Sequence, residues 1–197
     1  MVEALSQVRA HGAEAVSLRA VAQAVGVSPS AAYHHFADKT AILVEVADRG
    51  ADELDRRTVA AAGGLAVDDA DAGLVRLRAV GAAYIGFAVD EPHLFRHTFG
   101  PYCSMTPKFA TGEGGEGGPG VDDDGHGRGS DSAYGLLVDT LDQLDALGAL
   151  SRRDGLDLVA WAAVHGFASL VLDGFLPAED SSVLVDVLSA LVVSPRP

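Results

Sequence analysis

The sequence predicts an all-α fold, and three observations carry the prediction. Of the 197 residues 48% are apolar but only 6% are aromatic, so the core has to be built from alanine, valine and leucine, which suit helices packed closely through small side chains. Apolar residues recur at three- and four-residue spacing in segment after segment. Between these segments stand glycine, proline, serine and aspartate, the residues that start and stop helices. A chain of this length buries a proper core, as one large domain or as a small one joined to a medium one.

The elements follow in order. Residues 1–11 read as a helix stopped at His11-Gly12 by the residue that most readily ends one. Ser17 stands in N-cap position ahead of LRAVAQAV, where Leu18, Val21, Ala22 and Val25 fall at helical spacing. Gly26 interrupts this helix. Ser28 caps a second short one, with Pro29 in its first turn, where the missing N–H costs nothing, and it runs to about Phe36. Asp38 caps a third that begins at Lys39 and carries Ile42, Leu43 and Val46 on one face. Two short helices joined by a glycine turn, with Val25, Val27, Ala32 and Phe36 available for the inner side, form a helix-turn-helix. Its outer side is then Pro29, Ser30, Tyr33 and His34, with His35 near the end.

Beyond it the helical pattern runs from Asp52 to about Ala62, GGLAVDDADAG reads as a loop, and the apolar segment Leu74 to Val89 leads into DEPHLFRHTFGPY, broken at Pro92 and Pro101. Residues 104–132 are rich in glycine and aspartate and read as a mobile insertion. Asp122 to Asp124 beside His126 lack the ligand order of a calcium loop and read as a solvated acidic linker. Helical pattern returns from Ala133 to Leu150, from Asp154 to about Phe175 and from Asp180 to Val193, with no internal repeat. These readings divide the chain into a helix-turn-helix domain, residues 1–47, and a larger helical domain, residues 48–197.

The net charge is −14, which disfavours anionic partners in general. Its distribution narrows that conclusion. Residues 1–50 set Arg9, Arg19, Lys39 and Arg49 against Glu3, Glu14, Asp38, Glu45 and Asp48, so an anionic partner has to meet the nearly neutral N-terminal segment. No apolar run reads as a membrane span, no leader precedes Glu3, and the single Cys103 forms no internal disulfide. The chain reads as cytoplasmic.

GAEAVSLRAVAQAVGVSPSAAYHHFADKTAIL, residues 12–43, resembles the DNA-binding signature of the tetracycline-repressor (TetR) family of bacterial transcriptional regulators. LRAVGAAYIGFAVDEPHLFRHTFG and WAAVHGFASLVLDG, the latter Trp161 to Gly174 with a Trp-x-x-x-His-Gly motif, resemble its C-terminal domain. The resemblance implies a homodimeric repressor that binds a double-stranded DNA operator, takes a small-molecule effector in its C-terminal domain and uses no cofactor. By the same resemblance the phosphate and base contacts fall on Ser17 and Arg19, on Ser28, Pro29, Ser30, Ala31, Tyr33, His34 and His35, and on Lys39. The Ala31 methyl suits a thymine methyl. Tyrosine and imidazole donate hydrogen bonds to phosphate.

Candidate walls of the effector pocket are Tyr84, Phe87, Phe95, Phe99, Tyr102, Trp161 and His165, with His165 as a polar anchor in an apolar cavity or as a satisfied core histidine. Leu156, Val159, Val164, Leu170 and Val171, with Val183, Leu184, Val187, Leu188 and Leu191, offer more apolar surface on the last two helices than one protomer covers, which suits a four-helix dimer interface. His34 and His35 point about 100° apart and do not chelate one ion. His93 and His97, four apart, share a helix face, and the expectation is one ring lining the pocket and the other at the surface. Two other classes compete: a histidine-based metal enzyme, for which no nucleophile motif or paired carboxylate speaks, and a helical dimer without DNA affinity.

Overall fold

Short polar side chains cap several of the helices, at Ser17, Ser28 and Asp38 as the sequence predicts. In a computed structural model of the chain, residues 1–105 and 131–192 are described, and among them are nine α-helices and no strand. The first three are α1 (Val2–His11), α2 (Leu18–Ala24) and α3 (Pro29–His35). Gly12 ends α1 at φ 80°, the left-handed region. Ser17 Oγ accepts the Ala20 N–H at 3.1 Å and Ser28 Oγ accepts the Ala31 N–H at 3.2 Å. The long α4 (Lys39–Ala62) starts with Asp38 Oδ1 accepting the Ala41 N–H at 2.8 Å. Then come α5 (Ala70–Asp90), α6 (Pro92–Thr98), α7 (Ala133–Ala146), α8 (Leu156–Leu172) and α9 (Ser181–Val192). The expected 63–73 loop is shorter than its composition suggests. Asp69 Oδ1 caps the Ala72 N–H at 2.8 Å and brings α5 into it from Ala70.

The described residues form two compact units. The first holds Met1–Glu53 and the stretch from Glu91, the second Leu54–Asp90 and the C-terminal helices. This division differs from the expected boundary after residue 47, because α6 joins the first unit. Most of the 104–132 insertion, with Asp122 to Asp124 and His126, lies outside the described residues.

In the first unit Ala4 and Val8 of α1 and Val46 of α4 have no exposure, and Ile42 and Leu43 are almost as deeply buried. α6 packs on α1, and Arg9 pairs with Glu91 at 3.2 Å. The helix-turn-helix closes over Leu18, Ala22 and Ala32, with Phe36 partly buried against them. Val25 and Val27, expected on this inner side, are instead 53% and 46% exposed. The reason is local: α2 ends at Ala24, so the chain leaves the helical face before it reaches them.

In the second unit α5 packs against α7, α8 and α9. Leu77, Val80, Leu136, Leu141, Leu144 and Leu150 form the core cluster, which Val59 and Ala62 of α4 join. Contrary to the expectation that no run reads as a membrane span, α5 is the one described helix long and apolar enough to cross a membrane by length and composition. It is better accounted for as a core helix, since Leu77, Val80, Tyr84 and Ile85 are buried against its neighbours and Arg76 pairs with Asp139 at 2.8 Å. Leu136→Ala, at a side chain with no exposure, is expected to cost about 2–5 kcal/mol. Urea unfolding will read this as a lowered midpoint at unchanged slope.

Candidate nucleic-acid interface and apolar cavity

Capping fixes how the helix-turn-helix presents its side chains. Ser17, Arg19, Ser28, Ser30, Tyr33, His34 and His35 are all exposed, Ala31 partly so, and Tyr33 keeps 57% of its surface. The side chain of Pro29 lies outside the described set. Lys39 is half-buried, its Nζ donating to the Glu14 carbonyl at 3.1 Å, which seats the ammonium at the start of α4. Other cations of the unit are engaged within it: Arg9 with Glu91, and Arg49 with Glu45 at 3.1 Å. The outer side of α3 therefore offers hydroxyls, a phenol and two imidazoles more than fixed charge. Such groups donate hydrogen bonds to phosphate oxygens.

The second unit holds an apolar cavity of about 50 Å³ that opens to solvent at its mouth. Leu77, Val80, Gly81 and Tyr84 of α5 line it, with Leu137 and Leu141 of α7, Ala160, Trp161 and Val164 of α8, and Val185 and Leu188 of α9. Tyr84 meets Trp161 edge to face at 4.9 Å between ring centres, and Tyr134 meets the same indole at 5.3 Å. The Tyr84 hydroxyl stands 2.8 Å from His165 Nδ1. Burial lowers the His165 pKa, which favours the neutral ring.

Of the seven residues expected to form this pocket, the structure brings Tyr84 and Trp161 to the cavity wall, with His165 hydrogen-bonded to Tyr84. The other four stand elsewhere. Phe87 is fully buried under the Arg57 guanidinium, 5.4 Å from its ring centre. Phe95 and Phe99 pack on each other at 5.0 Å, and Tyr102 packs on His97 at 5.4 Å, all in the first unit. Aromatic residue type marks burial without saying in which core. The aliphatic walls carried no sequence signal that separates a cavity from packing.

His97 is 5% exposed, its Nε2 donating to the Leu43 carbonyl at 2.8 Å, while His93 is exposed. Neither ring lines the cavity, which corrects the expected division between pocket and surface. Among the described residues no group of three or more His, Cys, Asp or Glu side chains is placed to hold a metal ion. Burial lowers the His97 pKa more than the Leu43 hydrogen bond raises it. Above the usual histidine value near 6.5 the ring is neutral whether the chain is folded or not, and it adds no pH dependence. Below that value the unfolded chain takes up a proton that the folded chain resists, so stability falls, by up to about 1.4 kcal/mol per pH unit. Urea unfolding between pH 7.5 and 5.5, a range that stays clear of most carboxylates, should show this loss; His97→Gln should reduce it, and the part that remains belongs to His165, whose pKa burial also lowers.

The acidic and basic groups around the cavity are matched to one another. Arg153 bridges Asp142 at 2.7 Å and Asp157 at 2.9 Å, Arg76 holds Asp139, and Arg78 holds Asp186 at 2.8 Å. Burial raises the Tyr134 pKa, and its hydrogen bond to Asp157 adds to the rise. Burial alone would raise Asp157 as well, but hydrogen bonds from Tyr134 and Arg153 bring it below the usual carboxylate value.

Residues 1–46 match the family described as bacterial regulatory proteins, tetR family, and residues 77–192 match the tetracyclin repressor-like C-terminal domain. The chain belongs to the TetR family. The two TetR matches indicate a DNA-binding, non-enzymatic regulator of transcription. Regulators of the TetR family bind DNA operators, usually as dimers and with small-molecule effectors. Solved structures share the fold. A Rhodococcus sp. RHA1 protein of unknown function is 23% identical with a TM-score of 0.72, covering 98% of this chain and 93% of its own. A tetR-family regulatory protein of Rhodococcus RHA1 is 17% identical, TM-score 0.62, covering 98% and 94%. The TetR-family regulator PfmR of Thermus thermophilus is 20% identical, TM-score 0.62, covering 95% of each chain. No curated protein matches.

Proposed function

We propose that the protein is a cytoplasmic, ligand-responsive repressor that binds a near-palindromic operator as a homodimer and is released when a small, largely apolar molecule enters the second unit. The outer side of α3 carries this reading: Ser30, Tyr33, His34 and His35 are exposed together on a helix held by its serine cap. Ser17, Arg19, Ser28, Ala31 and Lys39 complete the contact set, with Pro29 at the first turn. A twofold mate spaces two such helices about 34–36 Å apart, one turn of duplex.

The mate would cover an apolar stripe on α8, Val159, Ala162, Gly166 and Leu170, together with Val183 and Val187 of α9. All are exposed except Gly166, which is half-exposed. Beyond its own helix, no described atom lies within 4 Å of where a Gly166 Cβ would stand, which leaves room for the backbone of a second copy. The remaining residues expected in this interface turn inward. Val164 and Leu188 line the cavity, Leu156 packs on the core cluster, and Val171 and Leu184 pack around Phe167 and Val185. The Leu191 side chain lies outside the described set.

Release requires the effector to bind the non-operator state better, by about 5.5 kcal/mol for a swing from 99% to 1% occupancy. α4 is the covalent link: Ile42, Leu43 and Val46 are core residues of the first unit, and Val59 and Ala62 belong to the core of the second. The test is a mobility shift with the DNA upstream of the chain's own gene. Binding should weaken with salt at a slope of about 0.9 per phosphate contacted. Tyr33→Ala with Lys39→Glu should abolish the shift at 100 mM salt while helix content holds. Unaltered binding by that variant overturns the assignment of the interface.

A further inference from the structure

We infer that the effector is electrically neutral: a largely hydrocarbon molecule with a single hydroxyl or comparable hydrogen-bonding group, which meets the Tyr84–His165 pair at the edge of the cavity. The inference rests on the proposal that this cavity is the effector site, and it names the chemistry the site accepts. Nine of the eleven lining residues are aliphatic or glycine, and Tyr84 and Trp161 are the two whose side chains carry a polar atom. No lining residue carries a charge. Three arginines of the unit are already committed to carboxylates: Arg76 to Asp139, Arg78 to Asp186, and Arg153 to both Asp142 and Asp157. The same pairing leaves those carboxylates poor counter-ions for a cation.

A carboxylate or ammonium in the cavity would lose its water and meet no opposite charge, which strongly opposes binding. A hydroxyl group fares differently. Tyr84 is 2% exposed, and its oxygen lies 2.8 Å from His165 Nδ1. A phenol oxygen donates one hydrogen bond and accepts two, and a neutral imidazole takes either role at Nδ1 according to its tautomer. The pair therefore adjusts to a ligand group that donates or accepts. The hydrocarbon remainder gains about 25 cal/mol for each Å² of apolar surface it buries.

Trp161 is the single tryptophan of the chain and lies in the cavity wall, so its fluorescence reports occupancy without a label. The full chain is titrated with two matched pairs, 1-octanol against octanoate and cyclohexylmethanol against cyclohexanecarboxylate, none of which absorbs with indole. The expected result is a saturable change with both alcohols and at least tenfold weaker binding of both carboxylates. Tyr84→Phe should weaken the alcohols about three- to tenfold, the value of one hydrogen bond. Gly81→Val adds bulk where a Cβ would already stand 3.1 Å from Val185 Cγ2, and it should silence the response. Thermal melting shows that each variant is folded. Carboxylates that bind as well as the alcohols, an unchanged alcohol affinity in Tyr84→Phe, or no response to either alcohol overturns the inference. Alcohols that bind as expected but leave the DNA complex intact would overturn the release mechanism alone and leave this assignment standing.

Discussion

A chain carrying Val159→Glu together with Val187→Glu will elute as a monomer and lose at least a hundredfold in operator affinity. Both residues are exposed in the protomer, by 59% and 52%, so the substitutions remove little packing within it and helix content should persist. In the proposed dimer they would set carboxylates into an apolar four-helix contact, on a chain whose net charge is already −14. An unpaired buried carboxylate is not tolerated there, and the symmetry operation doubles each substitution. Loss of the mate then removes the second recognition helix. Linking two reading heads multiplies affinity by about 10²–10⁴ with no new contact in either, and the monomer forfeits that factor. Light scattering alongside the mobility shift checks both halves. A variant that stays dimeric places the interface elsewhere on the protein.

What the sequence made legible is local. Ser17, Ser28 and Asp38 each cap the residue three positions on, because a cap depends only on its own turn of chain. Gly12 is equally local. The exposed side of α3 followed from those caps, and so did the order of helices. Less was legible wherever two faces of one helix both bury apolar groups. On α8 Val159 and Val164 carry the same side chain, yet one is exposed and the other lines the cavity. Residue type does not distinguish surface kept for a partner from surface turned toward a ligand. Phe95, Phe99 and Tyr102 show the same limit at longer range. They are aromatic like Tyr84 and Trp161, but the helix break after Asp90, with Pro92 opening α6, falls where the chain passes into the other unit. The assignment of His97 to the surface or pocket failed for a related reason: its partner is a backbone carbonyl 54 positions away, which no periodicity records.

Gly50→Ala inverts an ordinary helix rule. Glycine inside a helix costs about 1 kcal/mol relative to alanine, and Gly50 sits in the middle of α4, so propensity alone predicts stabilisation. Packing predicts the reverse. A Cβ at Gly50 would stand 1.8 Å from Thr98 Oγ1, 3.1 Å from Thr98 Cβ and 3.2 Å from Leu94 Cδ1. Thr98 and Leu94 have no exposure, so neither has solvent to turn into, and overpacking of this kind costs about 1–3 kcal/mol or more. At a 1.8 Å approach the packing term exceeds the propensity term, and Gly50→Ala should lose up to about 2 kcal/mol net, with Gly50→Val losing more. Thr98 supplies the control. Its Oγ1 is buried without a hydrogen-bond partner among the described residues, so Thr98→Ala alone relieves an unsatisfied polar atom, offsets this with the loss of one buried methyl group, and should cost about 1 kcal/mol or less. Combined with Gly50→Ala it leaves the 3.1 Å approach to Thr98 Cβ but removes the 1.8 Å clash, and most of the lost stability should return. A double-mutant cycle in urea reads this as a coupling of about 1 kcal/mol or more. Additive effects would mean that α4 and α6 separate to admit the methyl group instead of being held in contact at Gly50.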